Sequence, residues 1–173
     1  MNKYIRLFKY DIPLHFVLKL TNWLPDNVVF LRLRGRMAKP FFKSCGKKLG
    51  LGRDLTFYNP SNISIGENVY ISIGNWFNAA DNIEIEDEVM FGPKSVITSS
   101  NHTKESGSYR YGKPQIKPIQ IGKGSWVSAN CTITAGSNVG KGCLIASNSV
   151  VRGVVPDNSL FGGVPGKVIK QID

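Results

Sequence analysis

Aliphatic side chains recur at every sixth position in the segment IQIGKGSWVSANCTITAGSNVGKGCLIASNSVV: Ile121, Val127, Ile133, Val139, Ile145 and Val151. Four places after each of the first five stands a small residue, Ser125, Cys131, Ser137, Cys143 and Ser149. Gly122 and Gly140 follow aliphatic positions, where a tight corner needs no side chain. An earlier block repeats the spacing at Ile65, Ile71, Phe77 and Ile83, slips by two, and continues at Ile85, Phe91 and Ile97. A period of six is neither the 3.6 of a helix nor the simple alternation of a one-faced sheet. It predicts short parallel strands joined by tight corners, stacked coil on coil around one aliphatic column. A sandwich would instead show alternating faces and turn signals every ~8–12 residues. The expected fold class is therefore all-β, a parallel β-helix over residues 54–173, closed by a C-terminal cap at 156–173. Residues 99–118 interrupt the repeat as a protruding loop. Residues 1–53 read as a partly helical arm, broken at Pro13, Pro25 and Pro40. A helix over PDNVVFLRLRGRM sets Arg32 and Arg36 four apart on one stripe.

Charge sharpens the division. Residues 1–53 carry twelve Lys and Arg against Asp11 and Asp26, while the remainder balances, so the whole formal charge of +10 belongs to the arm. The arm suits a solvated basic face on a helical cap, or contact with anionic membrane lipid or an anionic glycan. No recognition motif for nucleic acid accompanies it. With no apolar run of about 18 residues there is no predicted membrane span. Lys3, Arg6, Lys9 and Asp11 interrupt what a secretory signal would keep apolar, so the expected compartment is the cytoplasm, with the arm peripheral at the inner membrane face. Cys45, Cys131 and Cys143 have no paired spacing, and the last two fall in the small-residue column, which makes them packing residues.

The repeats resemble the hexapeptide-repeat acyltransferases, left-handed parallel β-helices, over roughly residues 60–171. Three local matches point to the sugar O-acetyltransferase branch, which includes galactoside, maltose and polysaccharide acetyltransferases. They are NH within a long loop followed by YGKP (Tyr111 to Pro114), IGKGSWVSANCTITAGSNVG, and the closing GGVPGKVIK. The arm departs from the maltose and galactoside enzymes and is similar to the short basic leaders of polysaccharide-modifying members. The resemblance implies a homotrimer with active sites between subunits, acetyl-CoA as co-substrate, a carbohydrate acceptor and no metal.

Acetyl transfer from a thioester to a hydroxyl needs a base, an oxyanion donor and a groove for the carrier. Histidine is the natural base near neutrality. By resemblance the catalytic base is His102, in the loop that breaks the repeat; His15, in the arm, has no motif around it. Two histidines cannot supply the three-imidazole zinc site of the β-helical carbonic anhydrases. The resemblance puts the oxyanion and thioester near the amides of Ser128 and Ala129, beside Trp126. It puts coenzyme contacts at Ala129, Ser147, Arg152, Lys167 and Lys170, the lysines toward phosphates. The acceptor is expected near Ser72, Asn75, Asn78 and Tyr111. Ser72 stands where the galactoside and maltose enzymes have a sugar-binding asparagine. No serine or cysteine is paired with a second base, so the transfer is expected to be direct. Two alternatives remain open: N-acyl transfer to a nucleotide-linked amino sugar, and a non-catalytic assembly module. Drug acetyltransferases of the streptogramin and chloramphenicol kind also carry a loop histidine, but have no need of a basic leader.

Overall fold

A computed structural model describes residues 2–172 and gives three parallel sheets that successive strands visit in turn. The first face stacks Ser44–Cys45, Ile63–Ile65, Ile83–Ile85, Ile119–Ile121, Asn138–Val139 and Val154–Val155. The second stacks Gly50–Leu51, Tyr70–Ile71, Met90–Phe91, Trp126–Val127, Leu144–Ile145 and Ser159–Gly163. The third stacks Thr56–Tyr58, Trp76–Asn78, Val96–Thr98, Thr132–Ile133 and Val150–Val151. The chain thus winds a three-sided β-solenoid, as the period of six predicts. Its ladders begin at Ser44, well ahead of the first legible repeat.

Every inward aliphatic of the six-residue column is buried, and inside the early coils Phe57 stacks on Phe77 while Phe91 meets Phe77 edge to face. The small column is buried as well, and its polar atoms have a structural task. Ser125 Oγ donates to the Gly140 carbonyl at 2.8 Å and accepts from the Cys143 amide at 3.0 Å. Ser95 Oγ likewise donates to the Ser128 carbonyl and accepts from the Cys131 amide. These atoms satisfy corner backbone that the prism seals from water. Left-handed residues such as Asn130 (φ 56°) and Gly124 (φ 71°) let the chain turn between faces, and Asn and Gly adopt that conformation most readily.

Coil length varies at a single edge. From the first face to the second, and from the second to the third, the inward column advances by six each time. From the third face back to the first the steps are eight (Phe57 to Ile65), eight (Phe77 to Ile85), 24 (Ile97 to Ile121), six (Ile133 to Val139) and four (Val151 to Val155). The slip of two in the sequence is this edge, and so is the loop.

The arm caps the open end. Helix α1, Lys3–Arg6, runs through a wider π turn, Leu7–Asp11, into α2, Ile12–Thr21. Pro13 therefore does not break the helix as the sequence reading expects. It occupies the first turn of α2, where the π turn precedes it and a missing N–H costs little. Pro25 and Pro40 do lie outside the α-helices. Asn27 caps α3, Val28–Ala38, by accepting from the Phe30 amide at 3.1 Å.

Candidate functional site

The loop is fixed at its neck and open at its tip. Ser100–Asn101 pair antiparallel with Gln115–Ile116, and Thr103 Oγ1 donates to the Lys113 carbonyl at 2.6 Å. His102 lies between these two ties. Its backbone is held on both sides while its imidazole is exposed. Gly112, in YGKP, closes the neck: a Cβ there would lie 2.6 Å from the Thr103 carbonyl carbon, so no side chain fits. Neither Thr103 nor Gly112 was legible as functional from residue type, although the glycine of the YGKP motif was a signal. Tyr111 is exposed at the tip side.

The edge from which the loop leaves joins the third face to the first. Asn78, at the end of a third-face strand, belongs to the same edge; its Nδ2 donates to Thr98 Oγ1 at 3.5 Å. Arg152 is exposed on this edge, higher in the stack, between Val151 and Val154.

The remaining expected residues gather on another edge, between the second and third faces. Ser72, Ser128, Ala129 and Ser147 follow second-face strands, the coil of Gly92 lying between Ser72 and the rest. The two expected oxyanion amides are not equivalent. The Ser128 N–H is spent on the coil above, donating to the Ile145 carbonyl at 3.0 Å. The Ala129 and Ser147 amides have no acceptor among the described residues. Ala129 is the amide free to receive a ligand oxygen. Gly92, one coil below, packs closely against this backbone, as the other corner glycines do: a Cβ there would stand 2.7 Å from the Ala129 nitrogen. Trp126 presents its ring on the outer surface of the second face, 46% exposed. Lys167 and Lys170 lie exposed on a terminal antiparallel strand, Gly166–Gln171, that pairs with Ser159–Gly163 at the end of that face.

One expected acceptor contact fails. Asn75 is fully buried, and its amide is consumed by the scaffold. Nδ2 donates to the carbonyls of Ser72 and Gly92 at 2.7 and 2.9 Å, and Oδ1 accepts from the Ser95 amide at 3.1 Å. It belongs to the small inward column, has no free N–H and is closed off from any sugar. Ser72 is half-buried and accepts from the Tyr70 hydroxyl at 3.3 Å.

Two incomplete half-sites result. His102, Asn78 and Tyr111 share one edge, and Ala129, Ser147 and Ser72 another, separated by a face about 20 Å long (six residues at ~3.3 Å each). A cavity of about 760 Å³ lies at neither, between the arm and the first coils, lined by residues such as Leu14, His15, Leu18 and Phe57. Among the described residues there is no cluster of metal-ligating side chains, and no helix is long and apolar enough to cross a membrane.

Comparison with known proteins connects this geometry to chemistry. A family model described as bacterial transferase hexapeptide (six repeats) matches residues 118–153. A protein of Escherichia coli K12, provisionally named lipopolysaccharide biosynthesis O-acetyl transferase WbbJ, is 28% identical over 145 residues, covering 76% of this chain and 68% of that protein. The crystal structure of a maltose O-acetyltransferase from Clostridium difficile 630 superposes with a TM-score of 0.85 at 27% identity, covering 99% of this chain and 90% of that one. A galactoside acetyltransferase in complex with coenzyme A also gives 0.85, at 24% identity, over 100% of this chain and 84% of that one.

Proposed function

The chain belongs to the hexapeptide-repeat acetyltransferases, and from that premise we propose that it moves an acetyl group from acetyl-CoA to a hydroxyl of a carbohydrate, with His102 as general base. The observation that carries the reading is the position of His102. It lies at the neck of the one large excursion from the prism, exposed yet held by its backbone on both sides. The His102 imidazole takes the proton of the acceptor hydroxyl as that oxygen attacks the thioester carbonyl. The Ala129 N–H donates to the oxyanion of the tetrahedral intermediate. Collapse breaks the carbon–sulfur bond, and the thiolate leaves with the proton carried by the imidazolium.

The base and the free amides stand on different edges of one prism, so a single copy holds no complete site. A homotrimer in which the loop edge of each copy meets the amide edge of the next supplies three complete ones. Ser147 and Ala129 then line the pantetheine path, Lys167 and Lys170 meet phosphates, and Trp126 flanks the thioester. Arg152, on the loop edge, reaches the coenzyme of the adjacent site. Ser72, Asn78 and Tyr111 border the acceptor. The name of one similar protein, a lipopolysaccharide biosynthesis O-acetyl transferase, favours a sugar of a surface polysaccharide, acetylated in the cytoplasm.

His102→Ala tests the reading. Its turnover with carbohydrate acceptors should fall by roughly 10²–10⁴-fold, the usual contribution of a general base, while melting temperature and calorimetric CoA affinity stay unchanged. Near-normal turnover would sink the assignment. A matched panel of hydroxyl and amino sugars, read by CoA release, separates O- from N-transfer.

A further inference from the structure

The basic arm forms a built groove, not merely a charged surface. Arg32, Gly35, Arg36 and Lys39 of the arm face Gly46, Lys47, Lys48, Leu49 and Asn68 of the first coils across about 670 Å³. Five cations line it and no carboxylate does. The four ion pairs among the described residues involve none of them. Lys39 Nζ donates to the Gly46 carbonyl at 3.2 Å, and Arg32 Nη2 to Asn68 Oδ1 at 3.1 Å. Arg32 Nη1 is shielded from solvent and has no partner. A buried guanidinium donor without an acceptor is costly. An oxyanion in the groove would offset the crowding of its like charges.

A second feature says how that anion is presented. On α3, Val29, Leu33 and Met37 succeed one another at every fourth position and are exposed at 70%, 38% and 39%. They form an apolar stripe directly beside the basic stripe of Arg32, Arg36 and Lys39. Phe16, Leu20 and Trp23, on α2 and in the turn after it, are exposed apolar residues of the same arm. Aromatic and aliphatic side chains interleaved with Lys and Arg suit the boundary between headgroups and acyl chains. A second copy docked through the same face would set five cations against five. A free phosphate would leave the apolar stripe uncovered.

We propose that this groove seats the phosphate headgroups of an anionic lipid bilayer, with α3 lying along the membrane surface. The groove lies at the edge between the first and second faces, away from His102 and away from Ala129 and Ser147. Its occupancy is therefore separable from acetyl transfer to soluble acceptors.

The test is cosedimentation of the full chain with vesicles. It should bind vesicles of equal parts phosphatidylglycerol and phosphatidylcholine, leave phosphatidylcholine alone, and release as salt rises. Arg36→Gln with Lys47→Gln should lower the partition coefficient roughly 25-fold, about fivefold per cation, with unchanged melting. Lys47→Gln with Lys48→Gln, both at exposed positions, provides a second pair should the first fail to fold. Leu33→Ser with Met37→Ser should weaken binding at every salt concentration. Equal binding to neutral vesicles overturns the proposal, as does full displacement by inorganic phosphate at matched ionic strength. Equal affinity for duplex DNA would reassign the groove to nucleic acid. Lipid-free self-association abolished by the same charge variants would reassign it to a contact between copies.

Discussion

Gly35 sits within α3, where helix propensity alone favours alanine by about 1 kcal/mol. The packing reverses that sign. A Cβ at residue 35 would overlap the Leu49 carbonyl oxygen and lie 2.7 Å from its carbon, where 3.4 Å is an ordinary contact. The obstacle is backbone, and the coil that carries it is fixed by the Gly50 amide bonded to the Val69 carbonyl at 2.9 Å. The helix must therefore retreat by at least about 0.7 Å, since the Leu49 oxygen stands nearer than its carbon. Its neighbour Arg34 bridges the same gap: it is 1% exposed and donates to the Leu51 carbonyl at 2.8 Å and to Asp26 Oδ1 at 2.7 Å. The retreat takes the Leu51 bond to the limit of hydrogen-bonding distance. A hydrogen bond from a charged group is worth about 1.5–3 kcal/mol, and overpacking costs about 1–3 kcal/mol. After the propensity gain, Gly35→Ala should destabilise the protein by about 1.5–5 kcal/mol. Urea unfolding followed by far-ultraviolet circular dichroism, at one fixed protein concentration, reads this directly. Val29→Ala, exposed on the same helix, should stay within about 0.5 kcal/mol of the parent. A Gly35→Ala protein as stable as the parent would refute the close approach of α3 to the first coil.

Three further outcomes are expected. Ser125→Ala leaves the Cys143 amide and the Gly140 carbonyl unpaired inside the prism and should cost about 1–3 kcal/mol in the same assay; a neutral result would mean that water replaces the hydroxyl. Gly112→Ala displaces Thr103 beside His102, so kcat should fall on the order of 10²-fold, with KM for acetyl-CoA and melting temperature nearly unchanged; a loss confined to KM would remove Gly112 from base positioning. Burial pushes the thiols of Cys45 and Cys131 up from the ordinary 9.0, with Lys39 and two backbone bonds respectively pulling back. Their neutral forms are favoured in the folded state, so this contribution to stability is present below 9.0 and fades as pH rises past it. Alkylation of Cys131 near neutral pH should be slow until urea unfolds the chain, and fast labelling of the native protein would contradict it.

The prism was legible because its periodicity is strict on two of three edges. Six-residue steps need no long-range information, and the aliphatic and small columns could be assigned from the chain alone. The slip at Ile83 looked like a defect in phase but proved to be the third edge, whose steps differ from coil to coil. The first coil was hidden: Leu51 and Phe57 continue the column upstream, but the basic composition around them drew attention to charge. Asn75 was misread because a polar residue in a sugar-binding neighbourhood invites a binding role, whereas a corner carbonyl buried in the prism needs a donor just as much. The inequality of the Ser128 and Ala129 amides was beyond any sequence reading, since it depends on which N–H the next coil consumes. Arg34 was hidden for a similar reason: in a stripe of arginines four apart, the one between them points inward.

The uneven edge makes the scaffold modular. Two edges act as a ruler that sets the pitch, and the third works as a splice junction where a coil can take in eighteen extra residues or surrender two without disturbing the coils above and below. A lineage can therefore rewrite residues 99–118 as a cassette, altering what the loop recognises, while the stack that aligns its anchoring strands is inherited intact.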